Sequence, residues 1–295
     1  ALRNEDGNWL WEPGGRAVLE CTIQPSLPRE ILEQEMAVQE QQPMDFPDTL
    51  CIPEVIPLEE GGTMLFVRFH HIILDGFGMS LFAQQVLDAL AGKEVGAPSF
   101  FDDLEVSHFI KTADSQEVPG ASNTQDPDLD FWKNYLDDAD WNSTIMPGQP
   151  EGFKLTEYRR AFTADSMAKL TELSTGAGVT LAYALAGVYV SYLAGVTGKP
   201  DVVILMPRLN RTEKQRETLG CYLLLTPVRV TVSPDDTLIQ ICQKTQAAAR
   251  LSSEHKSCGY TNILHQLSGD PGMDCFPSAY GFNFYRLILE SSIRH

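Results

Sequence analysis

The most informative segment of the chain is Phe69-His70-His71-Ile72-Ile73-Leu74-Asp75-Gly76. Its first two residues end the stretch 63–70, which is rich in Phe, Val and Met. The apolar character of this stretch predicts a strand buried largely on both faces. The segment precedes a helix that we expect to begin at a cap, Ser80, and to end near Leu90. The two histidines therefore end the predicted strand, and Asp75-Gly76 follows in a short loop; we refer to residues 70–76 as the histidine loop.

The two histidines of this loop point in opposite directions, because side chains alternate along a strand. His71 shares a face with Phe69, whereas His70 shares the opposite face with Arg68. One histidine is thus available for chemistry and the other for structural hydrogen bonds. Histidine suits proton transfer near neutral pH, and Asp75 is well placed to hold the loop through an ion pair.

Each residue of the loop also has a structural explanation. A histidine on an apolar face is usually a core residue, and Asp-Gly usually marks a turn. The presence of His70, His71, Asp75 and Gly76 together, between a strand and a helix, favours an active site.

The composition limits the class of partner. The 295 residues include 22 Lys and Arg against 40 Asp and Glu, so the net charge is −18. Phosphate groups need a basic face, so we expect no binding to nucleic acid or to an anionic membrane. No apolar run approaches the ~20 residues that span a bilayer, and we expect a cytoplasmic protein.

The cysteines and histidines do not predict a metal site. The six cysteines are dispersed without a C-x-x-C pair, which indicates reduced thiols rather than a disulfide framework. The six histidines lack the clustering that zinc ligands need.

Helical and strand patterns occur in both halves of the chain, so the expected class is α/β or α+β. We place an N-terminal domain at residues 1–150 and a C-terminal domain at residues 151–295, joined by a linker at 141–153. Away from the histidine loop, the predicted helices are 28–40, 130–136, 163–174, 181–193 and 237–251, and the predicted strands are 201–206 and 219–232.

The histidine loop fits the pattern HHxxxDG. In this it resembles the condensation domains of nonribosomal peptide synthetases, within the superfamily of chloramphenicol-acetyltransferase-like acyltransferases. Other segments resemble motifs of that family in the same order. They are Ala1-Leu2-Arg3, Asp130-Phe131-Trp132-Lys133-Asn134-Tyr135-Leu136, Asp201-Val202-Val203-Ile204, Pro207 with Asn210-Arg211-Thr212, and Leu219-Gly220-Cys221-Tyr222 with Pro227 and Arg229.

The resemblance implies two acetyltransferase-like lobes that form a V-shaped pseudo-dimer around a central tunnel. Donor and acceptor peptidyl carrier proteins would deliver substrates on 4′-phosphopantetheine to the two tunnel mouths, with an adenylation domain as a neighbour. The acceptor amine would attack the donor thioester and form an amide, and the domain itself would bind no cofactor.

The same resemblance implies roles for individual residues. His71 would be catalytic, either as a general base or by orienting the amine and stabilising the tetrahedral intermediate. His70, Asp75 and Gly76 would shape the active site. Asp75 would pair with an arginine, and the candidates in order are Arg3, Arg208 and Arg229. The candidates for lining the tunnel are Gly220, Tyr222 and Leu224.

The chain also departs from the family pattern. Leu223-Leu224-Leu225 stands where the family often has V-N-T, and Phe77-Gly78 replaces the commoner Trp-Ser. Such changes suggest a starter subtype that accepts an acyl group. Family members are longer, so we expect their first strand and helix to be missing before Ala1 and the end of their second lobe to be missing after Arg286.

Three other functions stay open, and the third is an epimerising relative that uses the same histidine but carries a distinguishing motif not found in this sequence. A free-standing acyltransferase that uses acyl-CoA would have the same histidine. A non-catalytic carrier-docking domain is disfavoured by the intact loop. An acidic carrier protein would need a basic patch, and the candidate cluster is Arg208, Arg211, Lys214 and Arg216.

Overall fold

The computed structural model describes residues 2–5, 8–11, 21–46, 48–95, 127–139, 158–255, 263 and 280–284. Helices and strands are mixed along these residues, which confirms the expected α/β class. The described residues fall into two compact units. The first contains those up to residue 95 and Arg211–Tyr222, and the second contains those from 127 to Asn210 and from Leu223 to 284. The boundary expected near residue 150 lies outside the described residues and stays a prediction.

In its described residues, the first unit has five strands in two separate sheets, two α-helices and a 3₁₀ helix (Lys214–Glu217). Strands β1 (Leu2–Glu5) and β2 (Asn8–Trp11) pair antiparallel. The second sheet has the order β3-β4-β5, with β3 parallel to β4 and β4 antiparallel to β5. The elements are β3 (Thr22–Ile23), α1 (Arg29–Glu40), β4 (Cys51–Pro57), β5 (Thr63–Phe69) and α2 (Gly76–Leu90).

The core of this unit lies between α1 and the sheet, where Leu32 packs with Ile56, Leu58 and Phe66. Within β5 only Phe66 is buried, so the prediction that this strand is buried on both faces is wrong. The expectation came from its apolar composition. The paired register explains the outcome, because alternate residues face away from α1.

The start of α2 also differs from the prediction. The helix begins at Gly76 and its cap is Asp75, whose carboxylate accepts a hydrogen bond from the Gly78 amide at 2.7 Å. Ser80, the predicted cap, lies inside the first turns, where its hydroxyl donates to the Gly76 carbonyl. An aspartate caps a helix as well as a serine does, and Asp75 lies five residues before Ser80.

The described part of the second unit combines a two-stranded antiparallel sheet with four α-helices. They are α3 (Pro127–Leu136), α4 (Ala164–Ala177), α5 (Leu181–Thr197), β6 (Asp201–Leu209), β7 (Leu223–Thr231) and α6 (Leu238–Glu254). The core contains Val190, Leu193, Ile204, Val228 and Ile241. Thr163 caps α4 as predicted, and Thr237 forms a capping box with Gln240 at the start of α6.

The aromatic helix α3 is attached to the rest of this unit by buried side chains. The Trp132 indole is fully buried and donates to the His255 carbonyl at 2.8 Å. The Tyr135 hydroxyl accepts from the Arg229 amide at 3.0 Å and donates to the Arg229 carbonyl at 3.1 Å. The Arg229 guanidinium donates hydrogen bonds to the Asp201 carboxylate, which raise the pKa of the guanidinium. The D-F-W segment is thus a structural anchor.

Among the described residues, no single helix has the length and hydropathy to cross a membrane. Helices α4 and α5, bent by 99°, meet that test only as a pair, on length and composition.

Candidate active site

The histidine loop is held at both ends by the elements beside it. At its start, the His70 amide donates to the Leu50 carbonyl at 2.9 Å, and the Phe69 and Phe82 rings meet edge to face at 5.1 Å. Residues 71–73 form a turn, after which Leu74 and Asp75 are buried. The turn at residues 71–73 therefore lies between two ends of the loop that are fixed by packing and hydrogen bonds.

His70 has structural contacts. Its ring packs on Phe46 with a centroid distance of 4.8 Å, and its Nδ1 accepts a hydrogen bond from the Ile72 amide at 3.2 Å. This bond fixes the turn that carries His71. The side chain of His70 is thus used within the fold.

His71 has a different environment. Its residue is exposed, and its Nδ1 lies 3.9 Å from the sulfur of Cys221. An exposed imidazole on a fixed loop can exchange protons with a bound substrate. The two adjacent histidines therefore have separate environments, although both lie beyond the end of β5 at Phe69, where the alternation of a strand no longer applies.

Asp75 lies in a buried network directly beneath this turn. Its side chain is 3% exposed and that of Arg211 is 0% exposed. Oδ1 accepts from Arg211 Nη2 at 2.9 Å, and Oδ2 accepts from the Tyr222 amide at 2.9 Å. With the Gly78 amide as a third donor, the carboxylate is fully engaged, as a buried charge requires.

Arg211 joins the segment 211–222 to the loop. Its guanidinium donates to the carbonyls of Gln215 at 2.8 Å, Thr218 at 2.6 Å and Gly220 at 2.7 Å. The rings of Phe77 and Tyr222 lie against the same guanidinium, at 4.8 and 4.4 Å from their centroids. This arginine therefore organises both the start of α2 and the chain before β7.

The partner of Asp75 corrects one prediction and confirms its chemistry. The ion pair that the resemblance implied is present, but Arg211 forms it. Arg208 donates instead to the Ala249 carbonyl, and Arg229 pairs with Asp201 and Asp138. The backbone of Arg3 lies in β1, and its side chain is outside the described part of the chain. Arg211 lies in the N-R-T motif, Asn210-Arg211-Thr212, and the motif by itself assigns no partner to this arginine.

The described arginines of the predicted basic cluster do not form an exposed, unpaired patch, and the side chain of Lys214 lies outside the described part of the chain. Arg211 is buried and Arg208 donates to Thr226 and Tyr183 as well as to Ala249. Arg216 is exposed but pairs with Glu213 at 3.0 Å. These arginines therefore stabilise local structure, each within its own unit.

Three glycines near the loop differ in how much space a side chain would have at their positions. A Cβ on Gly78 would lie 2.8 Å from Leu74 Cδ1 and 3.0 Å from the Gly220 oxygen, and a Cβ on Gly220 would lie 2.5 Å from the Tyr222 ring. The absence of a side chain at Gly78 and at Gly220 therefore permits close packing. A Cβ on Gly76 would meet none of the described residues within 4 Å, so packing among these residues does not require a glycine there. Gly220 is buried, and Tyr222 and Leu224 are half-buried. Their lining of a tunnel stays a prediction.

Within the described residues, no group of three His, Cys, Asp or Glu side chains is placed to hold a metal ion. A separate cavity of about 230 Å³ lies on the α1 face of the sheet, with Met36, Glu54 and Phe66 in its lining. None of the residues predicted for the active site lines it.

Comparison with known proteins identifies the family of this chain. The family model described as "Condensation domain" matches residues 22–275. The chain belongs to the condensation domain family. Condensation domains of nonribosomal peptide synthetases catalyse amide-bond formation, a reaction of the acyltransferase type.

Individual relatives of this condensation domain match it at low identity, in sequence or in structure. An isonitrile lipopeptide synthase of Streptomyces coeruleorubidus is 25% identical over 232 residues, which are 74% of this chain and 15% of that protein. Holo-AB3403, a four-domain nonribosomal peptide synthetase bound to AMP and glycine, has a TM-score of 0.75 at 20% identity, over 92% of this chain and 21% of that one. The starter condensation domain of rhizomide synthetase, as a substituted variant in complex with C8-CoA, has a TM-score of 0.71 at 20% identity, over 96% and 63%. These matches confirm the chloramphenicol-acetyltransferase-like fold. The chain spans less than two thirds of each of these proteins.

Proposed function

We propose that this condensation domain forms an amide bond between a carrier-bound acyl or aminoacyl donor and the amine of a carrier-bound aminoacyl acceptor. The proposal is carried by one observation: an exposed histidine, His71, stands on a turn fixed by a buried Asp75–Arg211 pair in a chain of this family. The buried pair holds the loop and leaves His71 accessible to substrate. His71, Asp75 and Arg211 all lie in the first unit.

The proposed reaction requires one protein group that accepts or donates a proton. The acceptor nitrogen attacks the donor carbonyl carbon, and the carbon–sulfur bond then breaks. The donor carrier leaves with its thiol, while the acceptor keeps its own thioester and gains the acyl group. The nitrogen loses a proton and the leaving sulfur gains one. His71 can accept the first proton or stabilise the tetrahedral intermediate, because a neutral imidazole has one donor and one acceptor nitrogen.

The other residues of the loop have supporting roles in this proposal. His70 holds the turn through the Ile72 amide, and Asp75 holds the segment 220–222 and the start of α2. Gly76 leaves open space at the first position of α2, where a substrate could approach the backbone. Gly220, Tyr222 and Leu224 are proposed to line the substrate path.

The proposed partners are a donor and an acceptor peptidyl carrier protein and a neighbouring adenylation domain, all acting in the cytoplasm. Support comes from the family and from the similarity to a four-domain synthetase. The substrates would arrive on 4′-phosphopantetheine, and the domain itself would hold no cofactor.

We propose further that the donor is an acyl starter. The support is twofold. Apolar side chains surround the histidine loop, since Ile72, Phe77 and Met79 are all more than a third exposed. In addition, a starter condensation domain is among the similar structures. Exposed apolar groups favour an apolar donor chain over a peptide.

The experiment supplies the chain with an acceptor carrier loaded with an amino acid, and with one of two donors of the same acyl chain. One donor is a loaded carrier and the other is the acyl-CoA. Mass spectrometry then measures the acylated acceptor. We expect the carrier-bound donor to react faster by at least about tenfold, a difference of about 1.4 kcal/mol in transition-state binding. Faster reaction of acyl-CoA would instead assign the chain to the CoA-dependent acyltransferases. Binding of carriers without product from either donor would indicate a docking domain.

A further inference from the structure

Cys221 lies beside His71 although 150 residues separate them in sequence. Its sulfur is 3.9 Å from Nδ1 of the imidazole, a distance at which sulfur can still hydrogen-bond. Cys221 is one of four cysteines in the described residues. It is the one whose contact is with the histidine of the HHxxxDG loop.

The backbone on both sides of Cys221 is fixed by the buried network. Before it, the Gly220 carbonyl accepts hydrogen bonds from the Asp75 amide at 3.4 Å and from Arg211 at 2.7 Å. After it, the Tyr222 amide donates to Asp75 at 2.9 Å. The same carboxylate thus fixes the loop of His71 and the chain that carries Cys221.

Close packing keeps this segment from shifting. The Gly220 oxygen lies against the start of α2, so that a Cβ on Gly78 would be only 3.0 Å from it. The Tyr222 ring lies against Gly220 on the other side, at 2.5 Å from where a Cβ would be. The backbone position of Cys221 is therefore set by the fold.

A hydrogen-bonding partner on one imidazole nitrogen decides which nitrogen carries the proton in the neutral ring. We propose that Cys221 is a positioning residue for His71: it engages Nδ1, holds the neutral ring in one tautomer and one orientation, and leaves Nε2 as the nitrogen that meets the substrate. This inference rests on the proposed function of His71. It also gives the Asp75–Arg211 pair a second task, because the pair places the sulfur as well as the loop.

The proposal predicts a small and selective effect on catalysis. In Cys221→Ala, the imidazole loses a weak partner, so kcat falls by about 3- to 10-fold. The KM for the acceptor stays within twofold, since His71 still stands in the same place. Cys221→Ser recovers most of the rate, because a hydroxyl can also donate to or accept from Nδ1. The control is Cys51→Ala, which removes a thiol in β4 of the same unit and changes neither kcat nor KM.

The deciding measurement is the tautomer of His71, observed by two-bond ¹H–¹⁵N NMR in histidine-labelled protein above the pKa of the ring. The His71 signals are assigned from their loss in His71→Ala. We expect one tautomer in the wild type and in Cys221→Ser, and a mixture of both in Cys221→Ala. Identical tautomer populations in the wild type and Cys221→Ala would overturn the proposal, as would a mixture in the wild type.

The NMR result separates this inference from the proposed function. A wild-type domain with one His71 tautomer but no amide product would contradict the function and leave the contact standing. A domain that forms product with an unchanged tautomer in Cys221→Ala would contradict only the role of Cys221.

Discussion

Replacing Asp75 with alanine removes a carboxylate that accepts three hydrogen bonds in a buried site. The partner side chain, Arg211, is 0% exposed, so the substitution leaves its positive charge buried without a counter-charge. The amides of Gly78 and Tyr222 lose their acceptor at the same time. One substitution thus weakens the start of α2 and the segment before β7 together.

The size of the effect follows from this burial. Breaking a buried ion pair by removing one partner costs about 3–5 kcal/mol, and losing a helix cap costs about 1 kcal/mol. Both costs arise from the same carboxylate and overlap, so we expect about 4 kcal/mol. Typical domains have about 5–15 kcal/mol of stability in total, so the first unit of Asp75→Ala should open far more often.

Hydrogen exchange measures this opening in each unit separately. A loss of about 4 kcal/mol corresponds to about a thousandfold faster exchange of amides in α2 and in the segment 220–222. Amides of α6, in the second unit, serve as an internal reference and should change little. Asp75→Asn keeps an oxygen acceptor but loses the charge, and we expect a smaller acceleration.

The matched control is Asp165→Ala. This aspartate pairs with Lys169 at 2.7 Å, but the two side chains are 75% and 72% exposed, so exchange should not change. If α2 amides exchanged in Asp75→Ala within threefold of their rate in Asp165→Ala, the buried pair would not be holding the loop.

Two further predictions concern the second unit and use pairs of like residues. Gly187→Ala in α5 should destabilise the unit by about 1–3 kcal/mol in urea denaturation, because the new Cβ would lie 2.6 Å from the Cys242 sulfur. Gly195→Ala in the same helix meets nothing within 4 Å and should stabilise it by about 0.5–1 kcal/mol, so equal effects would contradict the packing. Tyr135→Phe should cost about 1–2 kcal/mol, because it leaves the buried backbone groups of Arg229 without the hydroxyl. Tyr192→Phe, at a tyrosine that is 57% exposed, should leave the urea midpoint unchanged, and the same shift in both variants would refute the anchoring of α3.

Local chemistry explains where the sequence predicted the fold correctly. Thr163 and Thr237 were expected to begin helices and do so, because a cap depends only on the next few residues. Ser80 failed as a cap because Asp75 offered the same chemistry earlier, with a buried arginine to hold its charge. Choosing between two good caps requires the tertiary partner.

The candidate site was predictable in its residue types and not in its pairings. The motif identified His71 and Asp75, and the need for an arginine followed from the family. That the arginine is Arg211, 136 residues away along the chain, depends on how the segment before β7 packs under α2. No local pattern records that packing. The contact between His71 and Cys221 was missed for the same reason, since a cysteine between Gly220 and Tyr222 has no signature of its own.

The central claim is that His71 carries out the chemistry and His70 holds the turn. The most direct test is the single-turnover rate of amide formation with loaded donor and acceptor carriers, in the wild type, His71→Ala and His70→Ala. Loss of a general acid or base typically costs about 10²–10⁴-fold. We expect a loss in that range for His71→Ala, with α2 amide exchange unchanged. We expect His70→Ala to reduce the rate less and to speed exchange around Ile72. A His71→Ala rate equal to that of the wild type would contradict the account.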